Sequence, residues 1–142
     1  MTARAAVLAA LAACSVVPDV GPRLAGTCDE TDSRPAGKPV SFAGDIQPLI
    51  FRQTGGCGCH LNGIGTRIAG LNLSSLATLR MGGNNSGTRI IVAGDPCASI
   101  MYQKLSDAPP FGSQMPLNGP PFWTTDELRL LHDWIAEGAS DN

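Results

Sequence analysis

Gly55-Gly56-Cys57-Gly58-Cys59-His60 is the stretch from which the rest of the chain can be read. Two thiols and an imidazole fall within a single turn of chain, set among glycines. A helix leads into it: Ile46, Leu49 and Ile50 recur at i, i+3 and i+4 and predict an apolar stripe on a helix over residues 41–53. Asp45 lies in its first turn, where a negative charge suits the helix dipole. Thr54-Gly55-Gly56 ends the helix and delivers the chain straight into the Cys and His residues. Glycine has a physical use here, because backbone without Cβ can pass close to a flat group.

A Cys shortly before a Cys-His pair is how a chain attaches c-type haem. The thiols bond the porphyrin edge and the adjacent His ligates the iron. The usual spacing is Cys-x-x-Cys-His, and this chain is one residue short of it. Side chains at i and i+2 diverge in a helical turn. The short spacing therefore predicts one thioether, from Cys59, which keeps its place beside His60. Cys57 is then left for a disulfide, with Cys97 as the candidate partner. Double attachment through a bent backbone is the alternative. Cys57, Cys59, His60 and Cys97 are also residue types that bind Zn.

Composition bounds the rest. A chain of 142 residues holds at most one ordinary domain and a tail. Its 43% hydrophobic content permits a core, but aromatics are only 5%, against 17 Gly and 11 Pro. Such small loop-rich folds often need a cofactor or a cross-link to supplement burial. The net charge of −2 and the lack of a basic patch exclude nucleic acid as a partner. No apolar run reaches the roughly 20 residues that span a bilayer.

The chain starts like an export signal over residues 1–13: Arg4, then an apolar run of small residues ending at Ala13. Leu11-Ala12-Ala13-Cys14 resembles the bacterial lipobox, which implies a lipid anchor on Cys14. An ordinary signal peptide cut at a nearby Ala is the other reading. Both expect a periplasmic or otherwise extracytoplasmic protein, where thiols oxidise. Residues 14–39, with Pro18, Pro22 and Pro35 and no period, read as a flexible tether carrying Cys28.

Residues 40–142 read as the folded domain. After the Cys and His stretch, Ser74 is the expected N-cap of a short helix bearing Leu76 and Leu79. The segment 82–87 reads as a mobile loop, and Ile90-Ile91-Val92 as a brief extended run. Asp95 and Pro96 are expected to open a helix reaching Lys104 or Leu105. Five prolines from Pro109 to Pro121 then forbid regular structure around Met115. Thr124 and Glu127 form a capping box for a last helix with Leu128, Leu131 and Ile135 on one face, stopped by Gly138. The expectation is an all-α domain of about four short helices with long loops.

These pieces, in this order, resemble a class I c-type cytochrome domain of the bacterial and planctomycete kind. The likeness runs over residues 41–140. It is carried by Asp45-Ile46-Gln47-Pro48-Leu49-Ile50, Gly70-Leu71-Asn72-Leu73-Ser74, Gly94-Asp95-Pro96, Gln114-Met115-Pro116 and the helix from Leu131 to Ala139. The resemblance implies a fold wrapped around one covalent haem c, with His60 as proximal and Met115 as distal iron ligand. Met115 on a proline-stiffened loop suits that role. His/Met ligation raises the potential and closes both axial positions, which favours electron transfer over oxygen chemistry. His132 is the competing distal ligand, read more readily as a rim residue.

The resulting expectation is a mono-haem carrier of single electrons, not an enzyme. Its acidic balance points to redox protein partners with a basic docking face. A haem enzyme with peroxidase-like activity and a non-haem Cys/His metal-binding or disulfide-stabilised module are the alternatives.

Overall fold

The computed structural model describes residues 38–142. The signal segment, Cys14, Cys28 and nearly all of the tether lie outside the described residues. Within them the chain is helical, with no β-strand. The elements are α1 (Gln47–Phe51), α2 (Ile64–Ala69), α3 (Leu76–Met81), α4 (Ile100–Leu105) and α5 (Thr125–Ala136). Five helices stand where about four were expected.

The entry into α1 is a π-helical turn, Phe42–Ile46. Pro48, in the first turn of α1, has no N–H and cannot pack against a carbonyl four residues back. The wider turn suits it: the Gln47 N–H reaches Phe42 O, five residues back. Ser41 Oγ accepts from Gly44 N at 3.0 Å, and Asp45 accepts from Ser41 N at 2.8 Å. Asp45 therefore caps the turn as well as facing the dipole.

Helix α5 is the keel of the molecule. Leu131, Trp134 and Ile135 have no exposed surface, and they meet Ile46, Ile50, Leu79, Ile100 and Leu105 in the core. The Phe42 and Trp134 rings pack 5.2 Å apart. Both ends of the domain are fastened to one another. Val40 N donates to Glu137 at 2.8 Å and Phe42 N to the Asn142 side chain at 3.1 Å. The Thr124–Glu127 capping box is present as expected.

Several local readings are corrected. The N-cap of α3 is Ser75, in a capping box with Thr78. Ser74 N donates to the Asn72 side chain at 2.9 Å, an Asx turn that ends one residue before the cap. The segment 82–87 is a hydrogen-bonded turn: Asn84 N donates to Ala69 O at 2.7 Å and Gly87 N to Gly83 O at 2.8 Å. Ile90 closes a 3₁₀ turn, Gly87–Ile90, and Ile91 after it is extended. Helix α4 begins at Ile100. Asp95 caps a preceding turn by accepting from Ala98 N at 2.9 Å. Ser99 Oγ then bonds Val92 N and Asp95 O, which breaks the path into the helix.

Helix α2 is the element that the sequence reading passed over. Ile64 and Ile68 face solvent, at 56% and 72% exposure, so no stripe points at a core. The signal that could have found it is Gly70, in the left-handed conformation at φ 66° that ends helices.

Arg52, just past α1, joins three parts of the fold. It forms a forked ion pair with Glu127 at the start of α5, and its Nη2 donates to Gly55 O at 3.1 Å. Its guanidinium also lies over the Trp123 ring, 5.8 Å from the centroid. Burial alone would raise the Glu127 carboxyl, but the bonds from Arg52 and Thr124 outweigh it and hold its pKa below the ordinary value. A depressed carboxylate stabilises the fold above its unfolded pKa, and that contribution is lost as pH falls through the folded value. Glu127→Gln should therefore cost about 1–3 kcal/mol at neutral pH. The deficit should shrink at a second pH acidic enough to protonate the wild-type carboxylate, which its depressed pKa places below the ordinary carboxylate range. Denaturant titration at the two pH values checks it; an equal deficit at both would refute the ion-pair account.

Candidate haem-binding site

The residues singled out by the sequence converge. Cys57, Cys59, His60 and Met115 all line one chamber of about 410 Å³, opening between α2 and the loop around Met115. A second, inner chamber of about 320 Å³ is walled in part by the buried Leu73, Ile90, Met101 and Leu105. The two share Cys57, His60, Ala69, Met115 and Leu117 as walls. Each is within the size range of small-molecule sites. Their walls are largely apolar, with Phe111 the one Phe, Tyr or Trp among them.

The Cys and His stretch is shaped from both sides. Cys57 N donates to Ile50 O at 2.8 Å, pinning the stretch to the end of α1. A Cβ on Gly56 would fall 2.0 Å from Arg52 O, so only glycine allows this approach. The glycine ahead of the motif thus serves contact with the protein's own backbone. On the other side, a Cβ on Gly65 would press on Cys59 O and on His60 Cε1. Gly65 lets the first turn of α2 lie against the imidazole.

His60 ends a 3₁₀ turn, Gly58–His60. Its Nδ1 lies 3.2 Å from Leu71 O, and Leu73 N donates to His60 O at 2.9 Å. A carbonyl can only accept, so this bond selects the tautomer with Nδ1 protonated. Nε2 keeps its lone pair. Burial disfavours the imidazolium and lowers the His60 pKa, while the Leu71 carbonyl pulls weakly the other way. A neutral ring held through its other nitrogen by a carbonyl is how ligating histidines are oriented.

The two thiols behave differently. Cys57 is buried, at 7% exposure, and faces both chambers. Burial pushes its thiol up to about 12, with Arg52 opposing and Cys59 adding to the rise. Cys59 is exposed and borders the outer chamber alone. The two thiols thus differ in burial, although both border the outer chamber. The expected Cys57–Cys97 disulfide is not: Cys57 and Cys59 are free thiols, whereas Cys97 is disulfide-bonded to a partner outside the described residues. Cys57 is turned into the cavity, and Cys97 is committed elsewhere. That same bond withdraws Cys97 from any Zn set. Among the described residues no three His, Cys, Asp or Glu side chains gather as a metal site.

Met115 is half-buried, and its N–H donates to Lys104 O at 2.7 Å. His132 is no rim residue. It is 4% exposed, bonds Asp133 through Nδ1 at 3.1 Å and lies edge-on to Tyr102. It borders neither chamber. Lys104, read in the sequence only as the end of a helix, lines the inner chamber. Its Nζ donates to Phe111 O at 2.6 Å and to Ser113 O.

Compared with known proteins, no family model, no curated protein and no solved structure matches this chain.

Proposed function

We propose that this protein is a mono-haem c-type cytochrome that carries single electrons outside the cytoplasm. One observation carries the reading: the Cys57, Cys59 and His60 stretch and Met115, far along the chain from it, border one apolar chamber. The residues present fit the group. Cys59 would hold it covalently, and His60 Nε2 and the Met115 thioether would ligate its iron. When bound, the haem supplies a one-electron couple. The chain's share is to orient His60 through Leu71 O, hold the Met115 loop on Lys104, and keep water from the cavity with aliphatic walls. The described helices are all too short to cross a membrane. The membrane attachment proposed is a lipid at Cys14, after removal of residues 1–13.

Gln53, Ile64, Ile68, Leu117 and Asn118 border the outer chamber without a charge among them. A basic partner would be steered by the wider acidic balance, with close contact at an uncharged rim. A peroxidase-like role needs an acid or base beside an open iron, and His132 lies apart from both chambers.

The test is a reduced-minus-oxidised visible spectrum of the chain matured with a haem-attachment system; iron-free protein containing zinc would overturn the proposal. Met115→Ala should keep covalent haem and open the sixth position. Cyanide and carbon monoxide should then bind readily. The potential should fall by a readable fraction of the roughly 0.8 V that axial ligation spans. Persistence of the sulfur–iron absorption band in this variant would assign the ligand to another residue.

A further inference from the structure

Residues 111–115 have no regular structure of their own, yet four of them are gripped by the last turn of α4. Lys104 does most of this. Its carbonyl accepts from Met115 N at 2.7 Å, and its ammonium donates to Phe111 O at 2.6 Å and to Ser113 O. The same ammonium stands 4.9 Å from the centre of the Phe111 ring. Beside it, Leu105 O accepts from the Gln114 side chain at 3.2 Å.

We propose that Lys104 is the positioning residue for Met115, fixing the thioether over the sixth iron site. This inference rests on the haem reading above.

The geometry favours such a role over a general stabilising one. An ammonium has three donors and no acceptor, so one Lys can hold several carbonyls at once. Its two carbonyl partners lie four and two residues before Met115. The Lys104 carbonyl holds Met115 itself. The side chain and backbone of one residue thus grip both ends of a five-residue segment, and the gripped end is the ligand. Lys104 sits in the wall of the inner chamber, so the clasp closes on the cavity side. A thioether is a weak ligand whose occupancy depends on how often the loop presents it. Loosening the loop lowers the fraction of molecules with sulfur on iron. An external ligand then competes against less, and its apparent affinity rises by that fraction.

The experiment uses the full matured chain and compares Lys104→Met, Lys104→Gln and Lys104→Arg with wild type. Met keeps the length of the stem and removes all donors; Gln keeps two neutral donors; Arg keeps charged donors. The readouts are the sulfur–iron absorption band, the reduction potential and cyanide affinity, with thermal unfolding measured alongside. Lys104→Met should weaken the band, lower the potential towards that of Met115→Ala and raise cyanide affinity by about tenfold or more. Lys104→Arg should restore most of the wild-type signature. Should Lys104→Met fail to accumulate, the comparison of Gln with Arg decides by the same ordering. Wild-type band, potential and cyanide affinity in the Met or Gln variant would overturn the proposal, whatever happens to the melting temperature. A wild-type protein with haem but no sulfur–iron band would overturn it together with the Met115 assignment. A wild-type protein with no haem would overturn the functional reading itself.

Discussion

Replacing His60 by Ala is expected to leave a chain that cannot hold haem iron in wild-type coordination and whose domain is poorly folded. Two costs add. Without haem, the substitution removes the bond from Nδ1 to Leu71 O, which joins the Gly58–His60 turn to the segment entering α3. A hydrogen bond of this kind contributes about 1 kcal/mol net. With haem, the loss is larger, because a ligand bound only by the folded state adds its binding energy to stability. A ligand held at about 1,000 times its dissociation constant contributes about 4 kcal/mol. Small domains have roughly 5–15 kcal/mol in total, and this one has few aromatics to bury. The variant should therefore lose its ligand-field spectrum and much of its helical circular dichroism at moderate temperature. A His60→Ala protein with wild-type absorbance and helicity would remove His60 from the site.

How much of this could be read in the sequence depends on the range of the interactions involved. The capping box of α5 was legible because Thr124 and Glu127 are three residues apart and the bond between them is local. The core stripe of Ile46 and Ile50 was legible for the same reason. Ser74 was mistaken for a cap because the Asx turn from its own N–H to Asn72, which ends one residue before the cap, could not be weighed without the fold. Helix α2 was missed because its apolar residues face outward, against the rule that makes apolar periodicity informative. The ion pair of Arg52 with Glu127 and the grip of Lys104 on the Met115 loop both depend on how the chain folds back. Neither residue type advertises such a partner in sequence. The helical class was legible nonetheless, and His60 and Met115, both picked out in the sequence, border the same chambers. Each is anchored by punctuation that is local: glycines around the Cys and His residues, and prolines around Met115.

Cys59→Ser should release haem into acidified organic solvent, whereas Cys57→Ser should not. Thioether formation adds a thiol S–H across a vinyl double bond: sulfur bonds one carbon and the proton goes to the other. The sulfur must be accessible while this happens. Cys59 is exposed at the edge of the outer chamber and adjoins His60, so the residue that anchors the ring edge and the residue that ligates the iron are coupled. Cys57 is buried, and burial keeps its thiol protonated up to about 12. Buried thiols of this kind are inert. With one vinyl left intact, the alkaline pyridine spectrum should fall between those of b-type and doubly linked c-type haem. Cys57→Ser trades a buried thiol for a hydroxyl without a ready partner, at a cost of about 1–3 kcal/mol. It should lower the melting temperature while covalent haem remains. Peptide mass spectrometry decides between the two sulfurs. A fragment spanning residues 57–60 should carry haem on Cys59 and an alkylatable thiol on Cys57, with Cys97 recovered in a disulfide that includes neither. Haem on both sulfurs would mean that the Gly58–His60 turn opens during maturation enough to swing Cys57 out of the core.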